Sequence, residues 1–135
     1  MIIHSEQEML DFGQAFANQI KFPMVIELIG DVGAGKTTFV RGLAAGLGIT
    51  TPVTSPSFTI SKQYAIPDNK YLVHYDFYRL PDPGLMSEDL QESIHNPNNL
   101  TIIEWAESVS DLLPKSHVTI TITYNNDNTR NLTIS

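Results

Sequence analysis

The stretch Gly30-Asp31-Val32-Gly33-Ala34-Gly35-Lys36-Thr37 decides the fold of this 135-residue chain. It has the G-x-x-x-x-G-K-[ST] spacing of a phosphate-binding loop, in which glycines let successive backbone N–H groups face phosphate oxygens. A buried-strand pattern, Met24 to Ile29, precedes it, and a helical pattern, Lys36 to Leu47, follows it. The N-terminus of that helix favours an anion. The stretch therefore predicts a nucleoside triphosphate site on a strand, loop and helix.

The composition is typical of one domain, residues 1–135, with a hydrophobic core. Hydrophobic residues make up 41% of the chain, which is too short for two nucleotide-dependent modules. There is no cysteine, so disulfides and thiolate metal sites are excluded. The N-terminus has no basic leader, and no apolar run approaches the roughly 20 residues that span a bilayer. We therefore expect a soluble, cytoplasmic protein with no membrane contact.

The charge balance argues against tight direct binding to nucleic acid. The net charge is −7, and the chain has only eight Lys plus Arg residues. Binding to nucleic-acid phosphates needs several basic side chains on one face. If the function concerns RNA or DNA, we expect another protein to make that contact.

Hydrophobic periodicity predicts a mixed sheet between layers of helices. Helices are predicted over Glu6 to Gln19 behind a Ser5/Glu8 capping box, Lys36 to Leu47, Leu85 to Ser93 and Ala106 to Leu113. Strands are predicted over Met24 to Ile29, Phe58 to Tyr64, Lys70 to Asp76, Leu100 to Ile103, Val118 to Tyr124 and Thr129 to Ile134. Two of the turns indicate antiparallel hairpins. The fold class is thus a three-layer α/β P-loop nucleotide-binding fold with a mixed parallel/antiparallel sheet, whose strand order the patterns leave open.

Two carboxylates are placed to complete a hydrolytic site. Asp76 and Glu104 each end an apolar run, and ligands of open α/β sheets bind at the carboxyl ends of the strands. Hydrolysis needs an acid near the metal and an oriented water. The segment Thr54-Ser55-Pro56-Ser57 follows the loop's helix, so Ser55 or Ser57 could act in a switch that senses the phosphate. Turn chemistry explains the same residues equally well.

Four segments together resemble a known family. They are the loop from Gly30 to Gly42, Val53 to Ile60, His74 to Leu80, and Ile103-Glu104-Trp105. Their order and spacing closely resemble the TsaE (YjeE) ATPases over nearly the whole chain. The resemblance implies a bacterial protein that binds ATP and Mg²⁺ and hydrolyses ATP slowly alone. It also implies faster hydrolysis with TsaD and TsaB, which transfer the threonylcarbamoyl group that forms N6-threonylcarbamoyladenosine at position 37 of tRNA.

The resemblance also implies roles for single residues. It places Lys36 on the β- and γ-phosphates, Thr37 and Glu104 on Mg²⁺, and Asp76 as the second acid of the site. Nucleotide contacts are expected from Glu6, Asp31, Gly33, Ala34, Gly35, Lys36, Thr37, Thr38 and Arg130. Ser57 stands where the family usually has Thr, which weakens the switch interpretation.

Two further residues have both a structural and a functional interpretation. Trp105, the only tryptophan, is either a core aromatic or a partly exposed reporter of binding, and we favour the second. Arg79 lies three residues after Asp76, so we expect it to pair with that carboxylate rather than to act as a charge-stabilising finger.

Two other functions fit the same loop. A small-molecule kinase would use it with a strand-end Asp as base, but such enzymes usually have Arg-rich lids, and this chain has only Arg41, Arg79 and Arg130. A non-catalytic module would use ATP only to order residues 50–57 for a partner. A GTP switch is less favoured, because Asn69-Lys70 lacks the following x-Asp that reads the base.

Overall fold

The computed structural model describes residues 1–31, 33–56, 60–78 and 84–135. Its strands are β1 (Ile2–Ile3), β2 (Met24–Ile29), β3 (Ser61–Ile66), β4 (Lys70–Asp76), β5 (Asn99–Glu104), β6 (Val118–Tyr124) and β7 (Arg130–Ile134). Its α-helices are α1 (Glu6–Phe16), α2 (Lys36–Gly46) and α3 (Leu85–His95), and 3-10 turns cover Ala17–Gln19 and Ala106–Leu112. Three sequence predictions lie outside the described residues: the start of a strand at Phe58, the switch role of Ser57 and the pairing of Arg79.

The strands form one mixed sheet in the order β1-β7-β6-β2-β5-β4-β3. The four central strands, β6, β2, β5 and β4, run parallel, whereas β3 and the β7/β1 pair add antiparallel edges. This confirms the predicted mixture and supplies the order that the sequence left open. Glu104 at the end of β5 lies opposite Leu28 of β2 and Asp76 of β4. Both predicted acids therefore lie at the carboxyl ends of their strands, at the same end of the sheet from which the phosphate loop leaves β2.

Side chains that alternate along the strands build a core on each face of the sheet. On one face, Ile26, Leu28 and Leu72 pack with Phe39 and Leu43 of α2 and with residues of α1. The other face carries a second cluster, which includes Val25, Val73, Tyr75, Leu90 of α3, Ile103 and Val109. Helical layers on both sides of the sheet confirm the three-layer α/β prediction.

Helices α1 and α2 touch backbone to backbone. A Cβ atom added at Gly42 would lie 2.3 Å from the carbonyl oxygen of Leu10, and one at Gly13 would lie 2.5 Å from that of Phe39. Ser5 caps α1 by accepting the Glu8 N–H at 3.1 Å, as predicted, whereas the Glu8 carboxylate accepts the His4 N–H at 2.7 Å instead of that of Ser5. The close contact therefore holds the start of α1, including Glu6, beside the phosphate loop.

The structure corrects several element boundaries. Helix α1 ends at Phe16 and continues to Gln19 as a 3-10 turn, and the predicted helix at Ala106 is a 3-10 segment interrupted at Val109, whose φ is −126°. Strand β1, which pairs with β7, was not predicted. Two residues are too few to show alternation, so only the tertiary pairing reveals such a strand.

We expect Gly42→Ala to destabilise the fold by about 1–3 kcal/mol, because a methyl group there would force the two helix backbones apart. Urea unfolding at equilibrium measures this loss. Ala45→Ser, on the exposed side of the same helix, is the matched control and should change stability by less than about 0.5 kcal/mol. Equal stability of both variants would mean that α1 can move away from α2 without cost.

Candidate nucleotide-binding site

The phosphate loop has the backbone conformation that its glycines allow. Gly33 and Gly35 have φ values of +83° and +112°, in the left-handed region that favours glycine. Gly35 is also the N-cap of α2, and no side chain caps the helix there. The first N–H groups of α2 are thus suited to a bound anion, which fits the phosphates of a nucleotide.

The β6/β7 hairpin fixes the carbonyl groups of the loop. The Tyr124 hydroxyl donates to the carbonyl oxygen of Gly33, and Arg130 Nε donates to that of Ala34 at 3.1 Å. The Arg130 guanidinium stacks on the Tyr124 ring, 4.2 Å from its centroid. A carbonyl and the next N–H of a trans peptide point in opposite directions. The Arg130 contact therefore directs the Gly35 N–H away from the hairpin.

Lys36 lies in a buried cluster at the carboxyl end of β5. Its Nζ donates to the Gly30 carbonyl oxygen, lies 3.3 Å from Glu104 Oε1, and sits 4.8 Å from the centre of the Trp105 ring. The other Glu104 oxygen, Oε2, lies 2.6 Å from His74 Nε2. Lys36, Glu104 and His74 are all buried. The loop lysine and the β5 acid, which the sequence assigned to one site, are therefore direct partners.

The pKa of the Glu104 carboxyl lies below its ordinary value. Burial raises it, but the hydrogen bond and electrostatic interaction with His74, followed by those with Lys36, more than compensate. Glu104 is therefore a carboxylate at neutral pH, the form that can bind a cation or accept a hydrogen bond from water.

Asp76 is buried beside Glu104, and one of its carboxylate oxygens accepts a hydrogen bond from the backbone. Its Oδ1 accepts the Tyr78 N–H at 2.9 Å, and its own N–H donates to the Ile60 carbonyl at 2.7 Å. The register of β4 and β5 places the two acids side by side. This geometry suits a carboxylate that is fixed in place next to Glu104.

Two cavities flank the loop, and they gather most of the predicted contact residues. One of about 230 Å³ is lined by Ser5, Glu6, Met9, Gly33, Gly35, Thr38 and Arg130. The other, of about 170 Å³, has Asp31, Lys36 and Trp105 in its wall. Thr37 is half-buried in the first turn of α2, and Ala34 is buried. Glu6 and Arg130, which are far from the loop in sequence, are therefore brought to it.

Within the described parts of the chain, no three His, Cys, Asp or Glu side chains form a ready metal centre. A magnesium ion held by Thr37 and Glu104 would thus need phosphate or water oxygens to complete its coordination. The residue types present fit such an ion, and their metal roles stay predictions.

Comparisons with known proteins show the family of this chain. The family model "Threonylcarbamoyl adenosine biosynthesis protein TsaE" matches residues 3–132. This chain belongs to the TsaE family. A relative named "tRNA threonylcarbamoyladenosine biosynthesis protein TsaE" from Haemophilus influenzae is 35% identical over 130 residues, or 93% of this chain and 82% of the relative. The protein of the same name from Bacillus subtilis is 42% identical over 116 residues, or 82% of this chain and 68% of the relative.

A solved structure shows the same fold. The crystal structure of Bacillus subtilis YdiB matches with a TM-score of 0.78 and 32% identity, over 99% of this chain and 82% of that one. No helix in the described part of this TsaE-family chain is long and apolar enough to cross a membrane.

Trp105 lines the cavity that contains Lys36, and the described part of the predicted switch segment is held by α2 and β3. Trp105 is half-buried and packs on Tyr78 at 4.7 Å between ring centroids, so its partial exposure is confirmed and its reporter role stays a prediction. Residues 50–56 are a loop. Arg41 Nε donates to the Val53 carbonyl at 3.3 Å, and Lys62 Nζ donates to the Thr54 hydroxyl. These contacts anchor the segment, and its switch role stays a prediction.

Sequence reasoning missed two residues of this TsaE-family site, His74 and Tyr124. His74 belongs to the segment that carried the resemblance, but nothing in the sequence paired it with Glu104, 30 positions away. Tyr124 lies directly opposite Arg130 in the hairpin register. The alternating pattern of β6 and the following turn were the only signals that could have placed it near the loop.

We expect the stability contributed by Glu104 to depend on pH. Because its pKa is lowered on folding from 4.5, the contribution is complete above that value and is lost as pH falls through the lower, folded-state pKa. The difference in unfolding free energy between the wild type and Glu104→Gln should therefore be constant from about pH 7 to 5 and change below about pH 4.5. Urea unfolding across this range measures it. A difference independent of pH would show that His74 and Lys36 do not favour the carboxylate.

We expect Tyr124→Phe to weaken nucleotide binding by about 2- to 10-fold, the usual value of one hydrogen bond. Calorimetric titration with ATP measures the affinity. Tyr75→Phe is the matched control, since it removes a hydroxyl that donates to Asp89 of α3 at 3.0 Å and should leave the affinity unchanged. Equal affinities for Tyr124→Phe and the wild type would mean that the hydroxyl does not hold the loop.

Proposed function

We propose that this TsaE-family chain is the ATP-binding and ATP-hydrolysing component of bacterial tRNA N6-threonylcarbamoyladenosine biosynthesis, and that it works in the cytoplasm with TsaD and TsaB. The observation that carries the proposal is the buried contact between Lys36 of the phosphate loop and Glu104, 3.3 Å apart. It brings a phosphate-binding cation and a charged acid together at the carboxyl ends of the strands, and nucleotide hydrolysis needs both groups in one site.

The side chains would act as follows. Lys36 turns from Glu104 and the Gly30 carbonyl to the terminal phosphates, and the N–H groups at the start of α2 bind phosphate oxygens. Mg²⁺, held by Thr37 and Glu104, would neutralise phosphate charge. Glu104 is charged and can accept a hydrogen bond from the attacking water, while Asp76 lies beside it as the second acid. Glu6, Thr38 and Arg130 line the cavity on the other side of the loop, where they contact the rest of the nucleotide.

Two described arginines argue against the kinase alternative. Arg41 donates to the Val53 carbonyl, and Arg130 to the carbonyls of Ala34 and Asn128. Both guanidinium groups thus hold backbone, which leaves them little freedom to form a lid over phosphates. The net charge of −7 likewise favours a partner complex, rather than this chain, as the site of tRNA binding.

Lys36→Ala should lower ATP affinity by at least about 30-fold, because it removes a charged partner of the phosphates. Lys21→Ala is the matched control, since Lys21 is exposed just before the opposite end of β2, and it should bind ATP normally. Thermal unfolding of both variants establishes that they fold. Near-normal affinity of folded Lys36→Ala would refute the loop assignment.

The partner-dependent activity is tested by phosphate release from ATP with and without TsaB and TsaD. We expect release without any added acceptor, faster with the partners, and lost in Glu104→Gln. Phosphoryl transfer to a metabolite would instead support a kinase. If partner-dependent tRNA modification persists when Glu104→Gln abolishes hydrolysis, the chain is a non-catalytic module in which ATP serves only to order residues 50–57 for a partner.

Trp105 fluorescence should report nucleotide binding. The Lys36 ammonium lies 4.8 Å from the Trp105 ring in this structure, and its movement to phosphate changes the electrostatic environment of the only indole. Titration with ATP should therefore change the emission of the wild type, whereas Lys36→Ala should show no saturable change. A wild-type emission that is constant while calorimetry shows binding would mean that Lys36 stays at the ring.

A further inference from the structure

His74 is a fully buried ring that directly contacts Glu104. It lies on β4, two residues before Asp76, with 0% of its surface exposed. Its Nε2 is 2.6 Å from Glu104 Oε2, whereas Glu104 Oε1 is 3.3 Å from Lys36 Nζ. Each oxygen of this carboxylate thus has its own partner.

The His74 hydrogen bond has a defined direction. A carboxylate can only accept, so the His74 ring donates from Nε2. The second ring nitrogen, Nδ1, is buried and has no hydrogen-bond partner among the described residues. A buried polar atom without a partner is costly to a fold. The hydrogen bond from His74 Nε2 to Glu104 is thus the interaction that explains a polar ring at this position.

The two partners of Glu104 differ in mobility. Lys36 has a flexible four-carbon stem, and binding of phosphate draws it away from Glu104. His74 is enclosed on β4, where it pairs in register with Ile102 of the strand that carries Glu104. Of the two contacts, the one to His74 therefore persists when Lys36 turns to a phosphate.

We propose that His74 is a positioning residue, which holds the Glu104 carboxylate in place for the metal and the attacking water while Lys36 binds phosphate. The inference rests on the proposed function, because it needs a nucleotide to draw Lys36 away. It involves no proton transfer, since the ring remains a donor throughout.

The test compares His74→Gln with His74→Met. The Gln amide nitrogen can reach the place of Nε2 and donate to Glu104, whereas Met has nearly the same shape and no donor. Calorimetric titration measures ADP affinity in EDTA and in Mg²⁺, and thermal unfolding reports stability. We expect His74→Met to bind ADP with normal affinity in EDTA. In Mg²⁺ its ADP affinity should be about 10-fold or more below that of the wild type, and it should need more Mg²⁺ for ATP hydrolysis. His74→Gln should recover most of this loss.

Several results would overturn the inference. One is an increase in ADP affinity with Mg²⁺ that is as large in His74→Met as in the wild type. Another is an equal loss of this increase in the Gln and Met variants, which would indicate that only the shape of the ring matters. If His74→Met does not fold, His74→Asn replaces it, because the Asn amide nitrogen lies at the place of Nδ1 and cannot reach Glu104 as Nε2 does. Normal Mg²⁺ dependence in folded His74→Asn also overturns the inference.

A second comparison separates this inference from the proposed function. In a Glu104→Gln background, His74→Met should cause no further loss of the Mg²⁺ effect, because the two residues act through one contact. Additive losses would show that His74 acts elsewhere. Failure of the proposed function appears in the wild type itself, as absent ATP hydrolysis with TsaB and TsaD, whereas the ADP measurements still decide the role of His74.

Discussion

The buried contact between Lys36 and Glu104 is the constraint on which the rest of the site depends. An ion pair removed from water pays a large desolvation cost, which is recovered only with good geometry and further hydrogen bonds. Here the Gly30 carbonyl, the Trp105 ring and His74 provide those additional contacts. The contacts of Lys36 with Glu104 and Trp105 need β2 beside β5, and the contact of His74 with Glu104 needs β4 beside β5. The sheet order therefore serves the charge pair as much as it serves the core.

A charge pair of this kind also suits a lysine that has to exchange a carboxylate for a phosphate. Lys36 is already desolvated and held beside the loop, so a phosphate gains a preformed cation rather than one taken from water. The free energy of its contact with Glu104 opposes that exchange. In the proposed function, nucleotide affinity would therefore depend on whether the phosphates interact with Lys36 more strongly than Glu104 does.

Much of this architecture could be predicted from local sequence. Glycine spacing and apolar runs predicted the strand, loop and helix around Lys36, the hairpins, and the placement of Asp76 and Glu104 at strand ends, because these signals depend on neighbouring residues. The strand order could not be predicted, since it depends on contacts between distant segments. The pairing of His74 with Glu104 depends on that order, through the register of β4 and β5. The contact of Tyr124 with the loop likewise needs β6 beside β2.

The loop is held from two sides by elements that lie at opposite ends of the chain. Helix α1 meets α2 at Gly13 and Gly42 without intervening side chains. The position of Glu6 at the start of α1 is therefore tied to that of α2, which follows the loop. On the other side, Tyr124 and Arg130 hold the carbonyls of Gly33 and Ala34. Strand β1, which leads into α1, pairs with β7, so both supports belong to one connected unit. A displacement of Tyr124 and Arg130 at the end of the β6/β7 hairpin would therefore move the loop and the start of α1 together, while β4 and β5 keep His74 and Glu104 in register.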